Sequence, residues 1–164
     1  MARPEGPRAT QFSVLDRLVD LEPGESAEAP VTAAQSVRQL KQAIKRDLEW
    51  LLNTRRIREA SSDPAAELTQ SLYNYGLPDL SGFGLHTPKD HQRLTWTLES
   101  TLATFEPRLE NVKVTLQPVD AASRQLRFQI EGLLRMDPAP ERISFDTLVE
   151  LTSGVYRVKG EGGA

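Results

Sequence analysis

Apolar residues recur along this chain with two different periods, and the change from one to the other divides it. Leu94, Leu98, Leu102 and Phe105 stand four, four and three apart, which places them on one face of a helix. From Val112 the period becomes two, with Val112, Val114 and Leu116 on one side and Lys113, Thr115 and Gln117 on the other. This alternation is that of a half-buried strand. Between them lies Glu106-Pro107-Arg108, where proline ends the helix because it has no N–H and its ring crowds the preceding turn. If the backbone through Pro107 is extended, Glu106 and Arg108 project to the same side, an acid and a base free to pair with each other or with a partner.

The same reading extends to both ends. Phe12, Leu15, Leu18, Val19 and Leu21 form a short amphipathic stripe with Ser13 as its cap and Asp16 in its first turn. A helix this short is marginal in water and must dock, either on its own domain or on a partner. Residues 22–35 read as an acidic linker, so residues 1–30 form an appended arm. Ser36 with Gln39 suggests a capping box, followed by a stripe of Val37, Leu40, Ile44, Leu48 and Leu51 ending near Thr54. Arg55, Arg56 and Arg58 follow directly. They read as solvated charge at a helix C-terminus or as a contact for an acidic partner surface.

Asp63-Pro64 opens a short helix carrying Leu68 and Leu72 that stops at Gly76. The next stretch, Tyr73 to Gly82, mixes turn formers with large apolar side chains and predicts an ordered loop folded over the core. Thr87, Pro88 and Asp90 have the chemistry of a helix start. Trp96 falls off the main stripe and predicts a second contact. Three further alternating runs follow: Leu126-Phe128-Ile130, then Phe145-Thr147-Val149-Leu151, then Val155 to Val158, with Gly132 marking a bulge. Helices first and strands after predict an α+β fold in which N-terminal helices cover one face of a small antiparallel meander of about four strands. Residues 31–164 form its single domain.

Composition narrows the chemistry. With 164 residues, 38% hydrophobic and 26% charged, the chain can build one sizeable core. It has no apolar run near the roughly 20 residues of a membrane helix, and its N-terminus lacks a secretory core, which predicts a cytoplasmic protein without direct membrane insertion. There are no cysteines and two histidines, His86 and His91, a poor basis for metal, disulfide or triad chemistry. A net charge of −3 gives no general attraction to nucleic acid.

Taken in order, SVLDRL (13–18), SVRQLKQAIKRDLEWLLNTRR (36–56), SLYNYGLPDLSG (71–82), LESTLATFEPRLENVKVTL (98–116) and a C-terminal strand block resemble the TssE subunits of type VI secretion baseplates. These belong to the lysozyme-like phage baseplate wedge family, and the likeness spans most of residues 11–159. The resemblance implies a non-enzymatic part of a contractile injection machine, without cofactors. It sits in a large hetero-oligomeric baseplate at the inner face of the inner membrane, among the TssF and TssG wedge proteins, TssK and the TssB–TssC sheath. It implies that Glu106, Pro107 and Arg108 serve wedge contacts, so that charge reversal at Arg108 weakens association while leaving the fold mostly intact. It also implies that the strands around Phe145, Val149 and Tyr156 offer an open edge at 143–159 that templates sheath polymerisation. Arg55 and Arg56 join this set of expected partner contacts.

Two other classes compete. A lysozyme-like peptidoglycan hydrolase needs two carboxylates across a sugar-sized cleft. Asp79, Glu99 and Glu106 are candidates, but none stands in a motif that demands catalysis. An adaptor acting through the 1–30 arm alone is the third reading, and deleting that arm would abolish all its binding.

Overall fold

The structure is a computed structural model that describes residues 13–18, 32–56, 68, 70–79, 87–117, 125–136, 139–150 and 154–160. The expectations for Phe12 and residues 19–31, Arg58, Asp63-Pro64, Leu80 to His86 and Leu151 lie outside the described residues.

Three α-helices precede four strands among the described residues: α1 (Val14–Leu18), α2 (Ala33–Asn53), α3 (Pro88–Phe105), then β1 (Leu109–Leu116), β2 (Gln125–Leu134), β3 (Glu141–Glu150) and β4 (Val155–Lys159). The strands pair antiparallel in the order β1-β2-β3-β4. The helices cover one face of this meander, α3 against β1 and α2 against β4. The α+β architecture read from the sequence is the one the chain adopts.

Each long helix owes its start to a cap. Thr87 accepts the Asp90 N–H, and Pro88 takes a first-turn position where a missing donor costs nothing. α2 begins a turn earlier than Ser36 and Gln39 suggest. Its capping box is Thr32 with Gln35: the Thr32 side chain accepts the Gln35 N–H, and the Gln35 side chain accepts the Thr32 N–H. Ser36 is instead buried inside the helix, because continuing the stripe back from Leu40 by four residues puts position 36 on the core face. Leu40, Ile44, Leu48 and Leu51 of α2 meet Leu94, Leu98 and Leu102 of α3 over Phe128, Ile130, Ile143 and Phe145 of the sheet.

β1 starts three residues before Val112, and its phase breaks. Leu109 and Val114 both face the core although they are five apart. A bulge between Glu110 and Lys113, with Asn111 at φ 52°, inserts the extra residue that makes this possible. Gly132 stands opposite that bulge, where a Cβ would come within 3.3 Å of the Glu110 carbonyl oxygen. The irregularity expected at Gly132 is real, but the extra residue belongs to the facing strand.

The loop after α2 is tied to the body. Leu77 N–H donates to Thr54 O at 2.8 Å and Arg56 N–H to Leu77 O at 2.8 Å, with Leu77 buried. Tyr75 sits edge-on to Phe105, centroids 5.4 Å apart. Its described part is thus the ordered cover the sequence predicts. Leu72 is not part of the apolar packing: it lies in a short 3-10 turn at 86% exposure. Trp96, for which a second contact is expected, is 68% exposed.

Candidate functional site

The corner between α3 and β1 carries the densest charge network among the described residues. Pro107 halts α3, Glu106 takes the C-cap, and Leu109 N–H closes a turn on the Glu106 carbonyl at 3.0 Å. This turn points both flanking side chains at α2. Arg108 Nε and Nη2 donate to the two carboxylate oxygens of Glu106, each at 2.5 Å, in the fork geometry that only arginine provides. Arg108 Nη2 also donates to Asp47 Oδ2 at 2.6 Å. Of the two possibilities left open by the sequence, the chain realises the internal pair, and it adds a third member from a residue 61 positions away.

The network continues outward. Asp47 Oδ1 accepts from Arg46 Nη2 at 2.7 Å, and Arg46 Nη2 donates to Asp16 Oδ1 of α1, also at 2.7 Å. Ser13 Oγ donates to Asp16 Oδ2 at 2.6 Å, and Arg46 lies over the Trp50 ring at 4.9 Å. Charges therefore alternate along Asp16, Arg46, Asp47, Arg108 and Glu106, joining α1, α2 and the corner. Burial acts to push the Asp16 carboxyl up, but the hydrogen bonds from Ser13 and Arg46 and the Arg46 charge outweigh it and hold Asp16 below its usual range. Burial likewise disfavours the Arg108 charge, and Glu106 and Asp47 overcome this and raise it further. Burial, with the charges of Asp47 and Glu106, also pushes the Tyr75 hydroxyl up. Glu106 is 4% exposed, whereas Pro107 is on the surface. The corner thus places an exposed Pro107 beside an Arg108 side chain that is 24% exposed and turned inward onto Glu106 and Asp47.

The other expected contact residues fall in two places. Arg56 is pinned, its Nε donating to Asn74 O at 3.0 Å, while Arg55 is exposed and reaches toward the turn before β4 at Gly154. Phe145 and Val149 lie on β3 with their side chains in the core; β4 pairs with β3 over Asp146 to Glu150, so Val149 is paired on both sides and Phe145 with Ile130 of β2. Their side chains offer no exposed group, and Val149, between Leu126 and Tyr156, offers no backbone edge. Tyr156 also points inward, against Phe128 with centroids 6.1 Å apart, and burial pushes its hydroxyl to about 12 against a smaller opposing effect of the Arg55 charge. Of the edge expected over 143–159, β4 therefore forms one part, and β3 as far as Phe145, paired to β2 alone among the described residues, forms the other.

The β4 edge is met by side chains of α2. Tyr156 N–H donates to Asn53 Oδ1 at 2.9 Å, Asn53 Nδ2 donates to Tyr156 O at 2.9 Å, and Val158 N–H donates to Glu49 Oε1 at 3.2 Å. The opposite edge is treated in the same way: Val114 N–H of β1 donates to Glu99 Oε1 of α3 at 2.8 Å. Sequence reasoning missed Asp16, Arg46, Asp47, Glu49 and Asn53 as members of these sites. The available signal was faint: Glu49 and Asn53 are i and i+4 beside the apolar stripe, so they share a helix face.

The Glu106 carboxylate is held at both oxygens by Arg108. Among the described residues no group of three His, Asp or Glu side chains is placed to hold a metal ion. Among them, too, no helix is long and apolar enough to cross a membrane.

Residues 38–139 match the family described as Baseplate wedge protein gp25. The chain belongs to the gp25 baseplate wedge family. The matched span holds most of α2, the covering loop, α3, the corner, β1 and β2, so both Asp47 and the Glu106–Arg108 pair lie within the part that matches the family. The family places the protein among structural components of baseplates. A solved chain from "The baseplate complex from the type VI secretion system" is 21% identical, covers 68% of this chain and 95% of its own, and superposes with a TM-score of 0.45. No curated protein matches the chain.

Proposed function

We propose that this protein is a structural, non-enzymatic subunit of a type VI secretion baseplate that joins wedge proteins to the contractile sheath and helps start sheath polymerisation. The observation that carries the baseplate role is the gp25 family match across residues 38–139. The type VI assignment is favoured by the TssE-like order of LLNTRR, YGLPDLSG and FEPRL along the chain. In this reading the partners are TssF, TssG and TssK on the wedge side and TssB–TssC on the sheath side. The protein works in the cytoplasm beneath the inner membrane.

The geometry supports a division of labour. The α3–β1 corner, with Pro107 exposed and Arg108 fixed in direction by Glu106 and Asp47, is the wedge contact; its ion pairs preorganise the surface and lower the cost of ordering it on binding. The β4 edge is the sheath contact, since strand addition supplies backbone hydrogen bonds to an incoming chain. Arg55, exposed beside the turn that leads into β4, is placed to meet an acidic group on that same partner.

A tagged pull-down of the intact protein from its own cells, with partners identified by mass, tests this. Wedge and sheath proteins should be recovered with the wild type, and the wedge proteins should be depleted with Glu106→Ala/Arg108→Ala. Recovery of neither set with the wild type would refute the assignment.

A further inference from the structure

We infer that α2 acts as a removable stand-in for a fifth strand: Asn53 and Glu49 occupy the β4 edge in the free subunit and must release it before a sheath strand can add. This rests on the reading of β4 as the sheath contact and concerns how that contact is controlled.

The Asn53 carboxamide pairs with Tyr156 as a peptide group would. Its oxygen accepts the Tyr156 N–H and its nitrogen donates to the Tyr156 carbonyl, both at 2.9 Å. Two residues along β4, Glu49 Oε1 accepts the Val158 N–H at 3.2 Å. The spacing explains why a helix can do this. Residues i and i+4 of a helix are separated by about 6 Å along its axis. Residues i and i+2 of a strand are separated by about 6.8 Å. One helix face can therefore fill successive outward rungs of an edge strand without distorting either element. Tyr156 and Val158 are the two β4 residues whose side chains enter the core, so their backbone geometry is fixed and the rungs are always presented.

The arrangement is also easy to undo. Asn53 is the final residue of α2 and is exposed, and among the described residues its side chain, beyond its bonds to Tyr156, donates to the Glu49 carbonyl at 2.7 Å. Rotation about the side-chain bonds of Asn53 and Glu49 frees the rungs and leaves the Leu48, Leu51 and Leu52 packing untouched. An edge held this way does not pair indiscriminately with other subunits, yet remains available to a strand that offers a full ladder.

The experiment compares the full-length wild type with Asn53→Ala/Glu49→Ala, using purified sheath subunits of the same system as the probe. Binding and amide hydrogen exchange at Tyr156 and Val158 are measured together. Loss of the covering bonds should tighten sheath binding about tenfold, the scale set by a few modest hydrogen bonds that no longer have to be broken. In the free variant the two amides should exchange faster than in wild type, and sheath subunits should protect them again. Unchanged or weaker binding, with the amides protected in the complex, would overturn the control by α2 and leave strand addition standing. Amides that stay unprotected in the variant's complex, or sheath subunits that bind neither protein, would overturn strand addition at β4 itself.

Discussion

Arg108 neutralises two carboxylates at once, and its removal leaves both of them close together, with Glu106 only 4% exposed. Arg108→Ala should therefore lower stability by about 3 kcal/mol, the scale of stranding one member of a buried pair, as read by denaturant unfolding. Arg108→Glu should cost more, because it sets a third carboxylate beside the other two. This revises the expectation that reversal would leave the fold mostly intact: the partner of Arg108 lies inside the chain, and loss of wedge binding must be read against loss of folded protein. Arg108→Lys, which keeps the charge but not the fork, should fall between wild type and alanine. Tyr156 gives a pH test. Its hydroxyl is raised from the ordinary 10 to about 12 by burial, so the folded state holds the proton more tightly than the unfolded chain. The stability this confers is complete below pH 10 and is lost as pH rises toward 12, amounting to about 2 to 3 kcal/mol. In Tyr156→Phe that part of the alkaline decline should vanish; an unchanged curve would mean that Tyr156 is ionised as readily in the fold as outside it.

Elements were legible wherever one period ran unbroken. The stripes of α2 and α3, the alternation of β2 and β3, and the Thr87-Pro88 start follow directly from residue spacing because each faces a single core. The failures are local and have physical causes. The first turn of α2 carries few large apolar residues, so Ser36 and Gln39 imitated a cap that Thr32 and Gln35 supply. In β1 the bulge at Asn111 shifts the phase, so an alternation counted back from Val112 misses Leu109. Gly76 marks the place where the covering loop meets α2. Its φ is 103°, and a Cβ there would meet the Thr54 carbonyl oxygen at 2.4 Å, so Gly76→Ala should break the Leu77 bridge to residues 54–56. A loss of about 2 kcal/mol, with faster amide exchange at Arg56 and Leu77, is the expected outcome. Wild-type stability in that variant would show that the loop can move away at little cost.

Across the whole molecule, two helices cover one face of the sheet and also reach round its edges, with Glu99 at β1 and Glu49 and Asn53 at β4. This could not be read from sequence, since a glutamate beside an apolar stripe looks the same whether it meets water or a strand N–H. The chain of charges was hidden for a related reason: Asp47 and Arg108 are 61 residues apart, and only the packing of α2 against the corner brings them together. The order of motifs along the chain, by contrast, is enough to point to the baseplate wedge family. The central claim is that the protein is a structural part from which a contractile sheath grows. Its most direct test is to delete the gene in its own cells and follow fluorescent sheath protein by microscopy. The account predicts that extended sheaths disappear and return when the wild-type chain is restored; sheaths of normal number and length in the deletion strain would contradict it.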